Sequence, residues 1–180
     1  RAAVRLSQDH PHFGGRFQDH TGRVTPNSEL WYALSAIYFS LQHLYSGPSG
    51  RIRDYDQFKE DDLVAYGNQF LDLLWEFRPE FMDVASNKTS AEEMRKRSIL
   101  FWGVGIRALA SAIYLCQDKA NRYGSLRDYG SAIRAIDFSP SNPRWAEVGF
   151  ILPGKTTPID RYKPRQDAAE EIAELISKDK

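Results

Sequence analysis

Residues 137–156 read DFSPSNPRWAEVGFILPGKT, and the fold class turns on how this stretch is taken. Its second half spells a P-loop, Gly149-Phe-Ile-Leu-Pro-Gly154-Lys155-Thr156. Accepted at face value, it makes the chain an α/β nucleotide hydrolase that uses Lys155. A working P-loop needs a strand before it, small residues whose N–H groups cradle phosphate, and a helix directly after it. Here Phe150, Ile151 and Leu152 are bulky and Pro153 has no N–H to donate. Pro158 and Pro164 would interrupt a helix beginning at Lys155. No apolar strand ending in a magnesium-binding Asp is found. The alternative to a nucleotide site built from Gly149, Gly154, Lys155 and Thr156 is a Pro-rich loop or a short hairpin. The first half then reads as a clasp. Asp137 precedes a turn, Ser139-Pro140-Ser141-Asn142-Pro143, in which Asn and Ser can bond backbone N–H groups, Arg144 follows, and Trp145 can anchor the turn in a core with its indole N–H satisfied by a neighbour.

Outward from this stretch the pattern is helical. Leu30, Leu34, Ile37, Leu41 and Leu44 recur at spacings of 4, 3, 4 and 3, widened by Trp31, Tyr38 and Tyr45, and Thr25-Pro26-Asn27-Ser28 supplies starting signals. Gly47-Pro48 closes that helix. A second is expected from about Asp54 to Arg78, stopped by Pro79. Ser90 to Glu93 spells a capping box. Gly103 and Gly105 suggest a bend or a close helix contact, and residues 104–119 are apolar nearly all round, as in a buried central helix. Ser125 caps a short helix to about Ala135, and a terminal helix begins at Pro164. No strand pattern is strong. The fold expected is mainly α, of about five to six helices, with the Pro-rich segment before the last. Residues 1–25, rich in Gly and His, read as an irregular N-terminal arm, and 26–180 as the helical domain.

Composition sets bounds. The 180 residues are 42% hydrophobic and 13% aromatic, enough for a packed core. Lys+Arg and Asp+Glu are 24 each, so no global field draws nucleic acid or acidic membrane, and any basic patch is local. Cys116 is the one cysteine; it excludes an internal disulfide and leans toward a reducing cytoplasm. It sits in the apolar helix and reads as core rather than nucleophile. No apolar run is long enough for a bilayer, so no membrane partner is expected. The chain starts at Arg1, not Met, which suggests a piece of a longer protein.

Two further sets of residues carry chemistry. Gln-Asp-His recurs at 8–10 and 18–20, so His10, His12 and His20 with Asp9 and Asp19 are a conceivable metal set. Their spacing fits no rigid motif, and a solvated arm is the simpler reading; neither metal nor cofactor is expected. Arg95, Lys96 and Arg97 end a helix, where they suit its dipole. Arg161, Lys163 and Arg165 form a second cluster. Phosphate contact asks only for positive charge within reach, so both are candidate nucleic-acid contacts, weak and non-specific, without a base-reading motif beside them. No nucleophile–base–acid arrangement can be assembled, and Glu60, Asp61 and Asp62 read as a solvated helix face.

The order of features resembles the C-terminal part of the DGQHR-domain family, whose best-known members are the DNA sulfur-modification (phosphorothioation) proteins called DndB. Three places carry the resemblance: residues 28–37, SELWYALSAI; the Gly103-bearing, Ala-rich helix in 100–114; and 136–145, IDFSPSNPRW, with Phe138 where the family has Trp. The DGQHR signature itself is absent, so no presumed active-site residue of the family is carried over. The resemblance implies a bacterial cytoplasmic protein of a DNA-modification and defence system, an accessory or regulator that contacts DNA or other DNA-modification proteins. The competing readings are the Lys155 nucleotide hydrolase and a helical protein-interaction module without a nucleic-acid role.

Overall fold

The structure is a computed structural model that describes residues 1–19, 22–49, 59–117 and 124–178. Among these, nine α-helical segments form, against the about five to six expected from periodicity. They are α1 (Ala2–Asp9), α2 (Leu34–Ser46), α3 (Glu60–Phe77), α4 (Pro79–Ala85), α5 (Ala91–Arg97), α6 (Gly103–Cys116), α7 (Gly130–Ala135), α8 (Pro143–Glu147) and α9 (Tyr162–Lys178). A minimal parallel pair, β1 (Phe17–Gln18) and β2 (Tyr32–Ala33), joins the N-terminal segment to the entrance of α2. The fold is mainly α.

Helix α6 is the centre. Its run GVGIRALASAIYLC buries both broad sides, one against α2 and one against α9. The expected extension to Lys119 lies partly outside the described residues. Gly105 permits a close approach: a Cβ there would meet the Ile99 carbonyl oxygen at 1.9 Å. Elsewhere in the core Phe81 stacks on Phe101 at 4.8 Å, Trp31 lies tilted against Phe81, and the Phe13 ring meets Trp31 edge-on at 5.2 Å.

Three expectations are corrected. Residues 1–25 are not an irregular arm, because α1 buries Ala2, Ala3 and Leu6 against α2 and α3. Gly67 makes room for it; a Cβ there would lie 2.4 Å from Leu6 Cδ1. The run Glu60–Asp62 is the largely exposed first turn of α3, as read, with Arg5 at 2.7 Å from Asp61 and 3.6 Å from Glu60 on its surface. Helix α2 starts at Leu34 rather than near Ser28, leaving Tyr32 and Ala33 extended. The physical reason is that the carbonyls a helix would use are taken: the Arg95 guanidinium donates to the oxygens of Pro26, Ser28 and Leu30. Tyr38, expected on the buried stripe, is exposed. The part of the second predicted helix before Lys59 lies outside the described residues.

The sequence caps form as read. Ser90 Oγ accepts from Glu93 N–H at 3.1 Å, and Ser125 Oγ from Arg127 N–H at 3.3 Å. Between α8 and α9 the chain is loop, not hairpin.

Arg78 sits at the junction of α3 and α4 and is buried with Glu80. Its Nε and Nη2 donate to Glu80 Oε1 at 3.0 and 2.8 Å, and Ser98 Oγ donates to the same oxygen at 3.1 Å. Its Nη1 donates to the carbonyls of Ile133 and Ile136 at 2.9 and 3.0 Å. The guanidinium also lies 4.7 Å over the Phe138 ring. Removing one member of such a pair strands a buried charge. Arg78→Ala is therefore expected to cost about 3–5 kcal/mol in urea unfolding, and Arg78→Lys to recover only part of it, since one ammonium cannot span the same acceptors.

Candidate functional site

The clasp at 137–145 is assembled from local bonds. Asp137 Oδ1 accepts from Ser139 N–H at 2.8 Å, Asn142 Nδ2 donates to the Asp137 carbonyl at 2.8 Å, and Asn142 Oδ1 caps α8 through Arg144 N–H at 3.2 Å. Arg144 pairs with Glu171 of α9 at 2.6 Å. Trp145 is fully buried and stacks on Phe138 with centroids 5.9 Å apart. Among the described residues its Nε1 finds no hydrogen-bond partner, contrary to the sequence reading. Asp137, Asn142, Arg144 and Trp145 thus meet in one device that ties the α7–α8 connection to α9. Trp145→Ala is expected to cost about 3–5 kcal/mol by chemical denaturation, as large aromatic core deletions do.

The P-loop spelling is folded inward. Phe150 and Ile151 are core residues, and their N–H groups donate to the Trp145 carbonyl at 2.8 and 3.0 Å. Gly149 and Gly154 have φ of 67° and 73° and shape turns; the element leading into the motif is α8 and not a strand, and the next helix begins at Tyr162. Lys155 and Thr156 are exposed on a turn whose Lys155 N–H donates to the Leu152 carbonyl. The amides of Gly149, Phe150, Ile151 and Lys155 are thus spent on the protein's own carbonyls.

The histidines of the N-terminal segment have structural roles. His10 is buried: Nδ1 accepts from the N–H groups of His12 and Phe13 at 3.2 and 3.3 Å, and Nε2 faces Asp72 at 3.2 Å. Burial holds its pKa below the usual range, with Asp72 opposing. His12 stacks on Trp75 at 4.0 Å. His20 lies outside the described residues. Among the described residues no group of three or more His, Cys, Asp or Glu is placed to hold a metal.

Of the two basic clusters only Arg95 lines the main cavity; Lys96, Arg97, Arg161, Lys163 and Arg165 lie outside its lining. Arg95 does not point outward; it is buried and bonds the carbonyls at the entrance to α2, so it leaves the set of side chains open to phosphate. Lys96 pairs with Glu93, and Lys163 with Asp167. Arg165 reaches Asp160 at 3.4 Å, and the same carboxylate takes Arg107 at 2.6 Å. Arg97 and Arg161 are exposed without an ion pair among the described residues. A cavity of about 360 Å³ lies between the start of α2, the start of α6 and the loop before α9. Arg95 lines one side and Asp160 the other, with Arg23 and Arg107 between them and Trp31, Phe39 and Trp102 among the aromatic walls.

Sequence reasoning missed Arg107, Arg23, Asp160 and Trp102. For Arg107 a signal existed, as the one charge inside the apolar run 104–116; the others come from separate segments that only the fold unites.

His43 borders this region. It is buried, its Nδ1–H donates to the Gly47 carbonyl at 2.8 Å, and burial, then the charges of Arg165 and Arg107, push its pKa down to about 4. The folded pKa lies below the unfolded value of about 6.5, so its contribution is full above that pH and is lost as pH falls toward 4. Roughly 3 kcal/mol of stability is expected to disappear over that window, with His10 adding in the same direction. Urea unfolding at several pH values checks this; His43→Asn, which keeps a donor for Gly47, is expected to flatten the slope.

A mainly helical protein with one partly aromatic cavity, lined by Arg23, Arg95, Arg107 and Asp160, is the class the geometry defines. The chain belongs to the DndB family of DNA-sulfur modification-associated proteins, whose family model matches residues 1–175. The match takes in α1 as well as the helices that follow. Searches of curated proteins and of solved structures returned no match. No described helix is long and apolar enough to cross a membrane.

Proposed function

We propose that this chain is a helical domain of an accessory or regulatory protein of DNA sulfur modification, which touches duplex DNA through its phosphates and offers the same helical surface to other proteins of the modification machinery. A role on bacterial DNA places it in the cytoplasm. The observation that supports the DNA contact is that Arg97 and Arg161, one from each basic cluster, stand exposed without an ion pair among the described residues, which a pure interaction module does not require. Arg97 and Arg161 supply the charge not already paired, Lys96, Lys163 and Arg165 can contribute only by exchanging a carboxylate for a phosphate, and Arg95 holds the margin of the cavity in place. Contacts of this kind position a protein and do not read bases.

Affinity is therefore expected to fall steeply with salt and to differ little between two unrelated duplexes, measured by fluorescence anisotropy across a salt series. The double variant Arg97→Gln/Arg161→Gln is expected to lower the slope of log affinity against log salt by roughly one unit for each phosphate that is no longer neutralised. A strong preference for one duplex would show a base-reading element instead. Absence of binding at low salt would leave the protein-interaction role alone.

A further inference from the structure

The cavity between α2, α6 and the loop before α9 has a composition suited to one kind of ligand. The guanidinium groups of Arg95 and Arg107 line it against the single carboxylate of Asp160. An excess of positive charge in a partly enclosed space favours an anion there. The N-terminus of α6 lies on the same wall: Gly103 and Val104 line the cavity, and no side chain caps this helix. The first N–H groups of a helix lack intrahelical partners and add their partial positive charge to that of Arg107.

Part of the remaining lining is aromatic, and two of those rings reach solvent. Trp102 is half-buried, and its indole N–H donates to the Arg95 carbonyl at 2.9 Å, which fixes the plane of the ring. Phe39 is 40% exposed, with the Arg107 guanidinium 5.7 Å from its centroid. Rings left open to solvent beside guanidinium groups form a stacking platform with an anion clamp. At about 360 Å³ the space lies at the small end of ligand pockets. It suits one nucleotide unit and not a duplex.

We infer that this cavity binds a single nucleotide, its base stacked against Trp102 and Phe39 and its phosphate held by Arg107 and the α6 N-terminus. The choice of a nucleotide over other planar anions rests on the DNA-contact reading above. Two sources share this chemistry: a free mononucleotide, and an unpaired nucleotide of a DNA strand.

Calorimetric titration of the whole chain with dAMP, with inorganic phosphate, and with a short single-stranded oligonucleotide tests the inference. Saturable dAMP binding at least about tenfold tighter than phosphate is expected, since stacking adds to the attraction between charges. Arg107→Gln is expected to weaken dAMP by at least about tenfold, and Phe39→Ala by a comparable factor. Phe39 lies at the surface, so its variant keeps the test valid if Arg107→Gln unfolds, which circular dichroism reports. Displacement of dAMP by the oligonucleotide identifies the strand as the source; dAMP binding without displacement identifies the free nucleotide. No saturation by either ligand up to about 10 mM, equal affinity for dAMP and phosphate, or an unchanged affinity in Phe39→Ala overturns the inference. A blunt-ended duplex in the salt series separates the two readings. If it binds while dAMP does not, only this inference falls; if dAMP binds while the duplex does not, only the phosphate contact of the surface falls.

Discussion

A buried guanidinium that must replace its lost water organises one end of this protein. Arg78 is buried, and a charge in that setting is tolerated only when polar atoms surround it. Glu80 and the carbonyls of Ile133 and Ile136 supply them, and they come from separate parts of the chain. Meeting the demand of one side chain therefore fixes the α3–α4 junction, the end of α7 and, through Ser98 on Glu80, the connection into α6. The clasp is placed by the same arrangement: Phe138 lies under the guanidinium, and its carbonyl takes the N–H of Ile99 at 2.9 Å. Trp145 stacks on Phe138 and closes the sequence of contacts against the core.

Arg95 has the same role at the other end. Its guanidinium gathers the carbonyls of Pro26, Ser28 and Leu30 and holds them out of the helix they would otherwise join. That displacement makes the cavity. Had α2 begun at Ser28, Trp31 and Tyr32 would have continued the helix; held extended, they line a wall opposite the start of α6. The arginine that looks available for phosphate in the sequence is instead the one that shapes the surface beside which Arg97 and Arg161 stand exposed.

These two arginines also mark how far the sequence could be read. The central helix was legible because a run such as VGIRALASAIYLC has no polar face to expose. The serine caps at 90 and 125, the inward Trp145 and the mismatch between the P-loop spelling and its bulky residues were legible because each depends on neighbours a few residues away. Helix α1 was not, since its buried side is only Ala2, Ala3 and Leu6 and it is stable because Gly67 of α3 lets Leu6 approach. The true start of α2 was hidden for a related reason. Local propensity favours helix from Ser28, and a partner 65 residues from Leu30 overrides it. The cavity draws on several separate segments, so no window of sequence contained it.

The carboxylate in that cavity limits what can enter it. Asp160 already satisfies Arg107 and Arg165, at 2.6 and 3.4 Å. An anion approaching Arg107 must share it with this carboxylate, and like charges at such range repel. The site is thus biased against small, strongly hydrated anions, whose whole affinity would be electrostatic. A ligand that adds apolar and stacking contact on Trp102 and Phe39 is less affected, because that part of its affinity does not pass through Arg107. The same balance explains how basic clusters persist on a chain of zero net charge: Lys96, Lys163 and Arg165 are held by neighbouring carboxylates, and Arg97 and Arg161 remain for a phosphate backbone to neutralise.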